Sequence, residues 1–153
     1  MIIWLDKNRT LHIDKNNSAD NAFALSKYTP ATYSSKDVLF KANAVVSGSI
    51  LLLTHSQVNS DVAGELYCRR YNCRSTLRKY FFDTDLKEFE HQICDHLRRT
   101  KGYNKEIKLR FRIGKSNIDQ FKKLGYNFYK DSDTYTDYYN LPWMKFIIVE
   151  KIL

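Results

Sequence analysis

The sequence predicts a mixed α/β (α+β) domain, with one sheet of about seven strands carrying helices on both faces. Three observations predict it. Alternating apolar and charged residues from Ile107 to Ile113 mark a half-buried strand. Leu86, Phe89, Ile93 and Leu97 fall on one side of a helix. Such segments follow one another in the order β-α-β-β-β-α-β-α-β-β, and hairpins flanking a β-α-β unit require a mixed sheet. Five glycines and two prolines in 153 residues leave little linker material, so residues 1–153 read as a single domain.

Each element has its own signal. Met1 to Leu5 is an apolar run, broken by polar residues before Leu11 to Asp14, which reads as a first hairpin or a broken first strand. Ser18 or Asp20 is placed to cap a short helix carrying Phe23 and Leu25. Pro30 closes that stretch, because proline disfavours helix in the residue before it. Two β-rich runs between Val38 and Ser56 flank Ser47 and Gly48, the signature of a tight hairpin turn. Gly64 to Tyr71 reads as a further strand, with Leu66, Cys68 and Arg70 on one face. Ser75 to Arg99 has helical character, interrupted around Asp83 to Asp85; Asp83 or Thr84 caps its second part and Gly102 ends it. After the strand Ile107 to Ile113, Ser116 caps a short helix bearing Ile118, Phe121 and Leu124, and Gly125 terminates it. Two strands complete the chain, the last within Met144 to Ile152.

Charge narrows the function classes. There are 25 Lys+Arg against 17 Asp+Glu, a balance of +8, which favours polyanionic partners such as nucleic acid or phosphate-bearing cofactors. Cys68, Cys73 and Cys94 show no paired spacing, which points to a reducing compartment rather than a disulfide scaffold. The four histidines, His12, His55, His91 and His96, are scattered, so no metal site is expected. No apolar run is long enough to span a bilayer. The start, MIIWLDKNR, lacks the pattern of a secretory leader. Together these predict a soluble, cytoplasmic protein with no membrane partner.

The element order and the step from Phe121 to Tyr126 (FKKLGY) resemble the GNAT superfamily of acyl-CoA-dependent N-acyltransferases, most clearly over residues 63–150. The resemblance implies acetyl-CoA as acyl donor and an amine as acceptor. It also implies a pyrophosphate loop of the form Arg/Gln-x-x-Gly-x-Gly/Ala between the fourth strand and the next helix. There, backbone N–H groups face phosphate oxygens, and small side chains let the backbone come close. With Gly64 to Tyr71 as the fourth strand, the implied cofactor-binding residues are Arg69, Arg70, Cys73, Arg74, Ser75 and Thr76. Cys73 and Ser75 stand where the family carries glycines. The helix tyrosine that protonates the leaving thiolate in many members is Phe121 here; Tyr126 and Tyr129 are the nearby phenols. Glu65 stands where members often carry the general base. A V-shaped opening between the strand ending near Arg70 and the strand beginning near Ile107 would admit a pantetheine arm, whereas a closed ladder would not.

Two other classes fit the residues. A GNAT-like scaffold without catalysis could bind nucleic acid or act as an inhibitor, through the interleaved aromatics and arginines of LYCRRYNCRSTLRKYFF. A metal-dependent nuclease would use Glu106 and Lys108 of the Glu-Ile-Lys step, with Asp95 as an upstream ligand.

Overall fold

Met1 to Leu5 carries no polar residue, and the reason is visible in its strand. In the computed structural model β1 (Ile2–Asp6) is buried along its whole length, because both faces of the sheet are covered there. Residues 1–59, 61–62, 84–102, 106–132 and 145–153 are described. They form β1, β2 (Leu11–Asp14), α1 (Ala22–Lys27), β3 (Val38–Ser47), β4 (Ile50–Val58), α2 (Leu86–Lys101), β5 (Lys108–Gly114), α3 (Ile118–Lys123), β6 (Asn127–Asp131) and β7 (Phe146–Ile152). The strands make one seven-stranded sheet in the order β2-β1-β3-β4-β5-β7-β6. Every neighbouring pair is antiparallel except β4 and β5. The architecture is thus a mixed α/β single domain, as the patterning predicts.

One face of the sheet holds the larger core. Ile3, Leu5, Phe40, Ala42, Leu51, Leu53, Leu109 and Phe111 pack with Leu86, Phe89, Ile93 and Leu97 of α2 and with Phe121 of α3. The four apolar positions read on α2 are all buried, which is what a 3.6-residue period achieves against a flat sheet. On the other face a smaller cluster joins Ile2, Trp4 and Val38 to Ala19 and to Leu25 of α1.

The turns show why particular residues stand where they do. Ser47 pairs with Ile50, so Gly48 and Ser49 form a two-residue hairpin loop, and Gly48 takes the positive φ of 59° that such loops require. Gly125 has φ 90°, a backbone conformation that favours glycine at the end of α3.

Two caps differ from the sequence expectation. Asn21, rather than Ser18 or Asp20, caps α1 by accepting from the Ala24 N–H. At α2, Asp85 precedes Leu86 without a side-chain capping bond, and Asp83 lies outside the described residues. Asn117, rather than Ser116, precedes α3, because Lys115–Asn117 already forms a short 3₁₀ turn.

A larger correction concerns the neighbour of β5. The strand expected there ends near Arg70; the parallel partner is instead β4, with Ile50–Leu53 opposite Lys108–Phe111. Both sides of β5 are occupied, by β4 and β7. The reason is a count. The N-terminal residues form two paired strands, so the fourth strand of the chain is Ile50–Val58. The Gly64 to Tyr71 segment lies outside the described residues.

Candidate functional site

The site begins with a disagreement between neighbouring ladders. β4 and β5 pair only from Ile50 to Leu53 and from Lys108 to Phe111. Beyond those rungs β4 stays with β3 as far as Val58 opposite Phe40. Over the same stretch β5 stays with β7 as far as Gly114 opposite Phe146. Each strand keeps its outer partner and loses its inner one, so the two part.

A bulge in β4 accompanies the parting. Asn43 faces Thr54, but two residues along β3, Lys41 faces Gln57, three residues along β4. The extra residue lies at His55 and Ser56, where a bulge bends the strand and increases its twist. His55 has φ 57°, in the left-handed region that costs a side-chain-bearing residue about 1–2 kcal/mol. The Ser56 hydroxyl oxygen beside it is buried with no hydrogen-bond partner among the described residues. A strained residue next to an orphaned hydroxyl is a double cost, of the kind that concentrates at working sites.

The space between the strands is a cleft of about 560 Å³. His55 to Val58 line one wall and Arg112 to Gly114 the other. Ser116 and Asn117 border it, as do Ala22 and Ser26 of α1, with Phe40, Phe121 and Phe146 as apolar lining. Arg112 bridges the two walls: its Nη2 lies 3.0 Å from His55 Nε2 and 3.4 Å from Nδ1. Among the described residues that line the cleft there is no Asp or Glu. Its polar groups are one guanidinium, one imidazole and the hydroxyls and amides of serines, Gln57 and Asn117. Such a set suits a ligand rich in acceptors and in negative charge.

The residues named from the sequence fare differently. Glu65, Arg69, Arg70, Cys73, Arg74, Ser75 and Thr76 lie outside the described residues. After β4 the described chain starts a helical turn at Asp61 and Val62, whose N–H groups approach the Asn59 side-chain oxygen at 3.1 and 3.4 Å. The connection leaving the parallel strand therefore starts at Asn59, well before Arg70.

Tyr126 is 1% exposed and does not line the cleft. Its hydroxyl donates to Glu90 Oε1 at 2.8 Å, and Lys151 Nζ holds the other oxygen at 2.9 Å. Burial, and then the Glu90 carboxylate, push the phenol well above the ordinary tyrosine range. Tyr129 sits on β6, 44% exposed, with the Arg110 guanidinium 3.8 Å from its ring, and it too is absent from the cleft lining. Phe121 does line the cleft and has no proton to give.

Asp95, on α2, is engaged along its own helix by His91 at 3.6 Å and Arg99 at 3.9 Å. Among the described residues no three His, Cys, Asp or Glu side chains come together in a way that could hold a metal ion.

His55, Ser56 and Arg112 escaped the sequence reading as site residues. Arg112 was visible only as a polar position on an alternating strand. A bulge has no one-dimensional signature, so nothing separated His55 from the other histidines. No protein-family model matches this chain, and no curated protein matches it.

Proposed function

We propose that the protein is an acetyl-CoA-dependent N-acyltransferase of the GNAT type, with the cleft between β4 and β5 as the seat of the acyl donor. The observation that carries this reading is the parting of the only parallel pair described in the sheet after Leu53 and Phe111, which leaves an open cleft where a closed ladder would leave no room. The donor set supports it, since the described lining bears Arg112 and His55 without a carboxylate, and the buried Ser56 hydroxyl has no hydrogen-bond partner among the described residues. The bound donor would supply an acyl group already activated as a thioester.

The chain's own residues have definable work in that setting. Arg112 holds the His55 ring and adds a fixed positive charge beside the cleft, suited to stabilising negative charge that develops on a carbonyl oxygen. Phe40, Phe121 and Phe146 exclude water from part of the lining, which strengthens those electrostatics. The acceptor is an amine that belongs to a nucleic acid or accompanies one, a reading supported by the charge of +8. Residence in the reducing cytoplasm accords with the free thiol of Cys94. No described helix is long and apolar enough to cross a membrane.

A second reading has its own support. With Phe121 lining the cleft, the Tyr126 hydroxyl given to Glu90 and Tyr129 absent from the lining, none of these three residues offers a proton there. That favours a scaffold that binds without catalysing.

Thermal denaturation with acetyl-CoA tests the proposal. A ligand at about 100 times its dissociation constant adds about 2.7 kcal/mol, which for a chain of this size raises the Tm by roughly 5–10 °C. The expected result is such a rise, lost in Arg112→Ala. No rise at millimolar acetyl-CoA would overturn the donor assignment. A rise without acyl transfer to any amine would leave the binding scaffold.

A further inference from the structure

We propose that Lys41 forms an anion subsite beside the cleft, at the C-terminal end of α1, which takes a carboxylate or phosphate group carried by the acceptor amine. A second cavity of about 240 Å³ is lined by Lys41, Tyr28, Thr29, Ser35 and Asn59. It shares Ser26, Gln57 and Val58 with the cleft, so the two adjoin along one wall of β4. Among the described residues no Asp or Glu lines either cavity.

Lys41 is half-buried, yet its hydrogen bonds run only to neutral acceptors. Its Nζ donates to the Tyr28 carbonyl at 2.6 Å and the Ser26 carbonyl at 3.2 Å. Two of its three protons are thereby used, and its charge meets no carboxylate among the described residues. Burial pulls the ammonium below the ordinary lysine range. The two carbonyls orient the side chain, and an incoming anion would both accept the remaining proton and neutralise the charge.

Gln57 fixes the boundary between the spaces. It stands opposite Lys41 in the ladder, and its side chain is tied to the Ala22 carbonyl at 2.9 Å. An acceptor anchored by its anion at Lys41 could lay its amine past Gln57 toward His55. The assignment of that anion to the acceptor rests on the transferase reading; the subsite itself does not. The same arrangement disfavours polycationic acceptors, for which these two linings offer no counter-charge.

The test uses sodium phosphate and sodium acetate as probes, against sodium chloride at matched ionic strength. Saturable stabilisation by phosphate or acetate beyond chloride is expected in the wild-type protein and in Lys41→Arg. Lys41→Gln keeps a donor for the carbonyls and removes the charge; it should weaken that binding on the order of 10- to 100-fold. A phosphate-selective response identifies a phosphoester acceptor and an acetate-selective response a carboxylate. No response beyond chloride, or an unchanged response in Lys41→Gln, overturns the subsite. Should that variant not fold, ¹⁵N-lysine NMR of the wild-type protein decides instead: movement of the Lys41 ammonium signal with the anions and not with chloride supports the subsite, and its absence overturns it. A parallel acetyl-CoA titration separates the two claims, because an anion response without acetyl-CoA binding removes the transferase reading and leaves the subsite standing.

Discussion

His55 is where the smallest scale matters most. A non-glycine residue at φ 57° keeps its backbone against a local preference for the other side of the map. The bulge holds it there, and Arg112 holds its ring. If the left-handed geometry is obligatory, the cost of a substitution should follow backbone tolerance. His55→Val, β-branched and poorly suited to positive φ, is expected to be less stable than His55→Gly by about 1–2 kcal/mol. Urea denaturation with unchanged m values measures the difference. Equal stabilities would mean that the bulge relaxes at little cost. None of this was legible beforehand: the sequence shows four dispersed histidines, and only a ladder partner reveals which one sits at an extra residue.

At the scale of elements, the fold is tied together by a polar lock as well as by packing. Glu90 on α2 receives the Tyr126 hydroxyl and the Lys151 ammonium, joining the helix to the turn before β6 and to β7. The periodicity that predicted α2 hid this feature, because Glu90 is a charged residue on an amphipathic helix, yet it is 7% exposed. The lock has a pH signature. Below the ordinary tyrosine value of 10.0 the Tyr126 phenol is protonated in both folded and unfolded chains. Above it the unfolded chain releases the proton while the folded chain retains it, so stability falls as pH rises. Tyr28 has the same sense, raised by burial and then by its bond to Asp14. Tyr126→Phe is therefore expected to lose about 1–2 kcal/mol near neutral pH and to show a shallower alkaline decline. Chemical denaturation between about pH 8 and 11 follows both. An alkaline slope identical to wild type would exclude Tyr126 as a contributor.

For the whole molecule, the balance of +8 is a statement about partners rather than about the fold. Affinity for a short single-stranded RNA is expected to fall steeply between about 50 and 200 mM salt, with a log–log slope of several units. Fluorescence anisotropy measures it, and flat binding over that range would remove a nucleic acid as acceptor or partner. The exposed Tyr129 ring, stacked by an Arg110 that is itself paired with Glu150, contributes little free charge to such binding.

Local order was largely legible in the chain. Ile107 to Ile113 alternates because successive side chains on a strand leave by opposite faces, and β5 buries its apolar set accordingly. Leu86, Phe89, Ile93 and Leu97 predicted α2, and Gly48 predicted its hairpin, because each depends on residues within a turn or two. What the tertiary structure alone decided was adjacency. β4 rather than a later segment lies parallel to β5, because the first residues close into two strands and shift the count. The cleft follows from that choice and from the bulge, where two ladders with different outer partners can no longer stay together. Parallel pairing joins residues some sixty positions apart, from Ile50 to Lys108, so no local pattern encodes it.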